Sequence, residues 1–192
     1  IEHAPHPRAV TPTMLRRMRA ISQWLPSEEQ DKLRRVAEAA CASGLVPAPS
    51  PPVKALKLLL SGVDGAGAFT IVGVAESGGR PAIGGVLVKQ GFGVRDAWVR
   101  RGGTKAELRE LLASISKEIG LDETSLEHAT ATLRAGLAMT LEAGRMPPFT
   151  LIDLAETFGL DGLAPQAMPV EQIVADLLGG VDADRLTEAA VA

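Results

Sequence analysis

A chain of 192 residues with 46% hydrophobic and 22% charged side chains can bury a sizeable core, which argues against global disorder. Its one cysteine, Cys41, excludes an intramolecular disulfide and a cysteine-based zinc site. The net charge of −3 conceals an asymmetry, because residues 1–105 carry 15 Lys/Arg against 8 Asp/Glu and residues 106–192 carry 5 against 15. Such a split suits a basic surface for nucleic acid or an acidic partner, or two parts that attract each other within one fold. The second reading weighs more, since an acidic half repels an approaching phosphate backbone.

Residues 1–10 form a polar, proline-containing lead-in, and a chain that begins at Ile1 rather than methionine reads as a piece of a longer protein. Thr11-Pro12 is an N-cap followed by proline at the first helical position. Met14, Met18, Ile21 and Leu25 then share one face of a helix over 12–24. Ser27-Glu28-Glu29-Gln30 has the capping-box pattern and opens a second helix over 28–43, ended by Gly44. On that helix Cys41 lies with Leu33, Val36, Ala37 and Ala40 and is expected to be a small buried hydrophobe. Val46 to Pro52 holds four prolines in seven residues and is the best linker in the chain.

Residues 53–61 (VKALKLLLS) read as a short helix stopped by Gly62. The pattern then turns glycine-rich with a period near two. Residues 68–75 and 82–89 are β-rich runs separated by the loop 77–81, which predicts an antiparallel hairpin, with a third strand over 94–100. Thr104 to Glu107 is a second capping box, followed by a helix ended by Gly120. A longer helix carries Leu126, Ala129, Leu133, Leu137 and Leu141 and ends at Gly144. Thr150 is read as the cap of the next, which bears Leu151, Leu154 and Phe158. Pro169 opens another with Val170, Ile173, Val174 and Leu177, and residues 183–190 add a last helical turn or two. No apolar run approaches the ~18 residues of a membrane span, and residues 1–20 lack the apolar centre of a signal peptide. A soluble, cytoplasmic setting is therefore expected.

Several constellations invite a chemical reading. Gly62 to Gly67 has the glycine content of a phosphate loop, but the expected order is helix, loop, strand, whereas a phosphate site needs strand, loop, helix. Gly65-Ala-Gly67-Ala-Phe69-Thr70-Ile71-Val72 followed by Val86-Leu87-Val88-Lys89 resembles the glycine-rich loop and lysine strand of protein kinases. The catalytic-loop and magnesium-binding motifs of that family are missing. The expected order over 53–119, helix, three strands, helix, resembles double-stranded-RNA-binding domains. In that family a basic cluster at the start of the last helix grips phosphates, and Arg100, Arg101 and Lys105 stand in its place. Finally, the stretch Lys89 to Trp98 presents Phe92, Arg95 and Trp98 around a Gly-Phe-Gly turn. Aromatic and arginine side chains are the usual anchors of protein interfaces; Trp98 also suits a core anchor beneath the sheet.

These readings combine into an α+β fold, predominantly helical, with a small two- or three-stranded antiparallel sheet. Its parts are a helical hairpin over 1–50, a helix–sheet–helix unit over 53–119 and a helical subdomain over 120–192. The expected function is a non-catalytic protein-interaction or scaffold module within a larger protein or assembly, binding a protein partner through Phe92, Arg95, Trp98 and Lys89. The alternative is nucleic-acid binding through Arg16, Arg17, Arg19, Arg100, Arg101 and Lys105. A further alternative is an enzyme with a site near the glycine-rich loop, using Asp64 and Lys89. No cofactor, metal or membrane is expected.

Overall fold

The computed structural model describes residues 10–160 and 162–168; the helices expected over 169–177 and 183–190 lie outside them. The order of elements is α1 (Pro12–Ile21), a 3-10 turn (Ser22–Trp24), α2 (Ser27–Ala42), β1 (Val53–Ser61), β2 (Ala68–Ser77), β3 (Arg80–Lys89), β4 (Gly93–Arg101), α3 (Lys105–Ile119), β5 (Leu121–Thr124), α4 (Leu126–Glu142) and α5 (Thr150–Phe158). More of the chain is helical than extended, and the sheet is wholly antiparallel, in the order β4-β3-β2-β1-β5.

The α+β class stands, but the sheet has five strands rather than two or three. Residues 53–61 are a strand, not a helix. Lysine and leucine favour helix intrinsically, yet this segment lies between β2 and β5 with Leu58 and Leu59 both buried, one side chain on each face. A strand covered on both faces reads as a continuous apolar run rather than an alternation. The correction also removes the helix-first element order on which the likeness to double-stranded-RNA-binding domains rested. The fifth strand, β5, is four residues long and pairs only with Leu58 to Ser61 of β1. The β2–β3 hairpin closes tighter than expected, through Gly78-Gly79 with φ of +57° and +76°, where two positive φ values match the strand twist.

Strand alternation sorts the core into two layers. Leu58, Ile71, Ala75, Val86, Val88, Val94 and Ala97 meet Leu133 and Leu137 of α4 and Leu151, Leu154 and Phe158 of α5. On the opposite face Val72, Ile83 and Trp98 pack against Leu108, Leu111 and Leu112 of α3. Glycines in the central strands set how closely these layers approach. A Cβ on Gly84 would lie 2.7 Å from the Trp98 carbonyl oxygen and 3.1 Å from the Phe158 ring, and one on Gly85 would lie 2.8 Å from the Trp98 indole nitrogen.

The caps follow the expected chemistry at Thr11 and Thr104, the latter with both capping-box hydrogen bonds. They depart from it at two places. The hydroxyl of Ser27 caps nothing, and the Gln30 side-chain amide donates to the Leu25 carbonyl at 2.7 Å, two residues before Ser27. Thr150 is the first residue of α5 rather than its cap, and its hydroxyl donates to the Ala97 carbonyl of β4.

The α1–α2 hairpin has its own small core of Val10, Leu15, Ala37 and Ala40, bordered by Met18, Val36, Cys41 and Leu45. It joins β1 through residues 45–52, which carry no regular structure. Among the described residues no helix is long and apolar enough to cross a membrane.

Candidate functional site

The β3–β4 connection is a tight turn in which the Phe92 N–H donates to the Lys89 carbonyl at 3.0 Å, with Gly91 and Gly93 at φ of +70° and +86°. Gly93 is seated on α4. The next residue, Val94, donates its N–H to Thr140 Oγ1 at 2.8 Å, and the Thr140 hydroxyl in turn donates to the Gly136 carbonyl at 2.7 Å. Phe92 is half-buried, and the Arg145 guanidinium lies 4.2 Å from its ring centroid. A guanidinium over an aromatic face gains from the ring quadrupole, about 0.5–1 kcal/mol where water still reaches it.

Arg145 lies in the loop from α4 to α5, whose far end is fixed by the hydrogen bond from Thr150 to Ala97. This loop runs beside the edge strand β4, and side chains of α4 and α5 take backbone groups of that strand at Val94 and Ala97. Between the two anchors Met146 is 52% and Phe149 80% exposed.

The stretch read as one interaction loop is thus divided. Phe92 belongs to the turn under Arg145. Arg95 is the extra residue of a β-bulge, since Val88 pairs with Val94 and Leu87 with Asp96; it is exposed. Trp98 points to the opposite layer, over Gly85 and against α3, as the core-anchor reading expects. Lys89 ends β3, half-buried, opposite Gly93. Arg145, Met146 and Phe149 were not singled out from sequence. The available signal was an apolar Met-Pro-Pro-Phe run between two helices, belonging to neither helical period.

The basic residues have several fates. Arg16 Nη2 donates to Glu156 Oε1 at 2.7 Å; Arg17 donates to both oxygens of Glu156, at 2.9 and 2.7 Å, and to Asp153 at 2.6 Å. Arg101 donates to Thr157 Oγ1 and to the Asp153 carbonyl, each at 2.8 Å. Three of the six cations considered for nucleic acid therefore bind α5. Burial alone pushes the Glu156 carboxyl upward, but hydrogen bonds and charge from Arg17 and Arg16 outweigh it and hold the group below its ordinary value. Of the rest, Lys105 pairs with Glu76 at 3.6 Å, Arg100 is exposed, and Arg19 donates to Cys41 Sγ at 3.1 Å. Cys41 is half-buried rather than enclosed, at the wall of a groove of about 490 Å³ between α1 and α2 that Met18, Leu33 and Ala37 also line.

The glycine-rich loop has a structural use for its carboxylate. Asp64 accepts the N–H groups of Ala68 and Ala66, both at 2.8 Å, and these bonds, more than the charge of Lys89, hold its carboxyl below the ordinary range. The carboxylate braces the turn into β2. Among the described residues no group of three or more His, Cys, Asp or Glu is placed to hold a metal ion.

No family model matches the chain, and no solved structure matches it. An uncharacterized protein of Sinorhizobium fredii (strain NBRC 101917 / NGR234), y4lR, is 29% identical over 119 residues, covering 61% of this chain and 22% of that protein. The chain thus spans about a fifth of the length of the curated relative it matches.

Proposed function

We propose that this chain is a non-catalytic protein-interaction module, a soluble cytoplasmic part of a larger protein, and that it meets its partner through the α4–α5 loop. The observation that carries this reading is Phe149, 80% exposed on a loop fixed at both ends. A lone exposed apolar residue is ordinary on a protein surface. Here Met146 stands three residues away, and Arg145 is already ordered over Phe92, so the loop presents an aromatic, a methionine and an arginine on a prepared backbone. These residue types are enriched at interfaces, and prior ordering reduces the entropy lost on association. The much longer relative supports a place within a larger protein. The nucleic-acid alternative gains less support, because Arg16, Arg17 and Arg101 are matched by carboxylates or carbonyls of the same fold.

The test places a photo-reactive benzoylphenylalanine at position 149 of the full-length protein in the cells that express it. Val63, 70% exposed on the β1–β2 loop, serves as the control position. A discrete protein adduct at 149 and not at 63 is the expected result. Equal labelling at both positions, or none at either, refutes the assignment.

A further inference from the structure

The groove between α1 and α2, about 490 Å³ in volume, has Met18, Leu33 and Ala37 on its apolar lining, Ser22 and Gln30 at one end and Cys41 at the other. One arginine stands on each wall, Arg19 on α1 and Arg34 on α2. Arg34 meets Asp31 at 2.7 Å and Glu38 at 3.9 Å. Arg19 donates to Cys41 Sγ at 3.1 Å and meets no carboxylate among the described residues. A later part of the chain arrives beside this groove. Trp24, two residues after Ser22 in the turn joining the helices, donates its indole N–H to the Leu163 carbonyl at 2.5 Å. The described chain runs on to Met168, and the six residues from Leu163 to Pro169 reach at most about 20 Å. The sequence that follows has the apolar spacing of a helix, with Val170, Ile173, Val174 and Leu177 on one face. Glu171 and Asp176 flank that face on its two sides, and residues 169–178 hold no lysine or arginine. Ten helical residues span about 15 Å, against about 16 Å for α2 from Gln30 to Cys41.

We propose that residues 169–178 seat in the α1–α2 groove as a third helix, apolar face inward and carboxylates toward Arg19 and Arg34. An amphipathic helix buries its apolar stripe in such a groove, and its flanking charges fix the orientation. Charge complementarity selects an acidic occupant, because the arginine at the Cys41 end has a thiol but no carboxylate to accept from it. Tethering selects this segment over a separate protein. The bond between Trp24 and Leu163 holds the chain within reach of the groove, which gives the segment a high effective concentration there. Docking leaves Trp24 in the main core and the ion pairs of Arg16 and Arg17 intact. The residues involved differ from those of the α4–α5 loop, so this inference does not depend on the role given to Phe149.

Cys41 is the one thiol of the chain and lines the groove, so its alkylation reports whether the groove is covered. In the full chain, Ile173→Asp with Leu177→Asp should speed labelling by N-ethylmaleimide at least about tenfold, since labelling follows the uncovered population. Gln172→Asp adds a charge to the opposite face of the segment and should leave the rate at its wild-type value. Equal rates in the wild type and the double variant overturn the proposal, as does equal acceleration by Gln172→Asp. A second measurement covers the case in which the double variant disturbs the hairpin. Leu177→Cys in the full chain should form an intrachain disulfide with Cys41 under mild oxidation, in a yield independent of protein concentration, and Gln172→Cys should not. No bridge from Leu177→Cys, or a bridge formed only between chains, overturns the proposal as well.

Discussion

Replacing Gly93 with alanine tests how the β3–β4 turn is seated. Its φ of +86° lies in a region that costs a non-glycine residue about 1–2 kcal/mol. A Cβ there would lie 2.2 Å from Thr140 Oγ1, 2.5 Å from Thr140 N and 2.6 Å from the Gly136 carbonyl oxygen. Two of those atoms are helix backbone, so the turn must move away from α4 and weaken the hydrogen bond from Val94 to Thr140. Overpacking of this kind adds about 1–3 kcal/mol, for a combined loss of about 2–5 kcal/mol. In a chain of this length each kcal/mol lowers Tm by about 2–4 °C, which gives a fall of about 4–20 °C. The assay is thermal unfolding by circular dichroism, with Gly78→Ala as the control. Gly78 also has positive φ, +57°, but a Cβ there meets nothing within 4 Å, so its loss should stay near about 1 kcal/mol. Thr140→Ala removes only one of the three close atoms and should not rescue Gly93→Ala. Equal losses at Gly93 and Gly78, or a full rescue by Thr140→Ala, would refute the packing argument.

Three further outcomes follow from the same geometry. The folded Glu156 carboxyl is held below its ordinary value of 4.5, so its contribution is fully present above that value and is lost as pH falls through the depressed one. Asp153 beside it on α5, Arg16 and Arg17 on α1 and Arg101 on β4 complete the charged surroundings. Trp24 emission in a Trp98→Phe background should therefore be constant from neutral pH down to about pH 5 and shift below it; a shift centred near neutrality would contradict this. Phe149→Ser should change stability by less than about 0.5 kcal/mol in urea unfolding, because the side chain is mostly exposed. Gly85→Val should displace the Trp98 indole and expose it, seen as a red-shifted emission in a Trp24→Phe background; unchanged emission would show that the strand pair has slack.

The parts of the fold written in local chemistry were legible. Thr11 and Thr104 cap, Gly44, Gly120 and Gly144 sit at helix ends, and the β2–β3–β4 meander follows the β-rich runs. What failed was local preference overruled by position. Val53 to Ser61 is made of helix-favouring residues and becomes a strand because neighbours cover both of its faces. Leu121 to Thr124 is too short to show a period at all. The charge asymmetry was visible as a number, but its meaning required the approach of Arg16 and Arg17 to Glu156 across about 140 residues of chain. Phe92 and Trp98, neighbours in one loop by sequence, are separated by strand alternation and by the bulge at Arg95. Phe149 escaped notice because an exposed aromatic carries no periodic signature.

The central claim is that the α4–α5 loop is the contact surface, and the most direct measurement is affinity for the protein cross-linked at position 149. With Phe149→Ser in the full-length protein, the account predicts a Kd weakened by about 30-fold or more, as for a buried interface anchor, with the fold unchanged. A Kd equal to that of the wild type would contradict it.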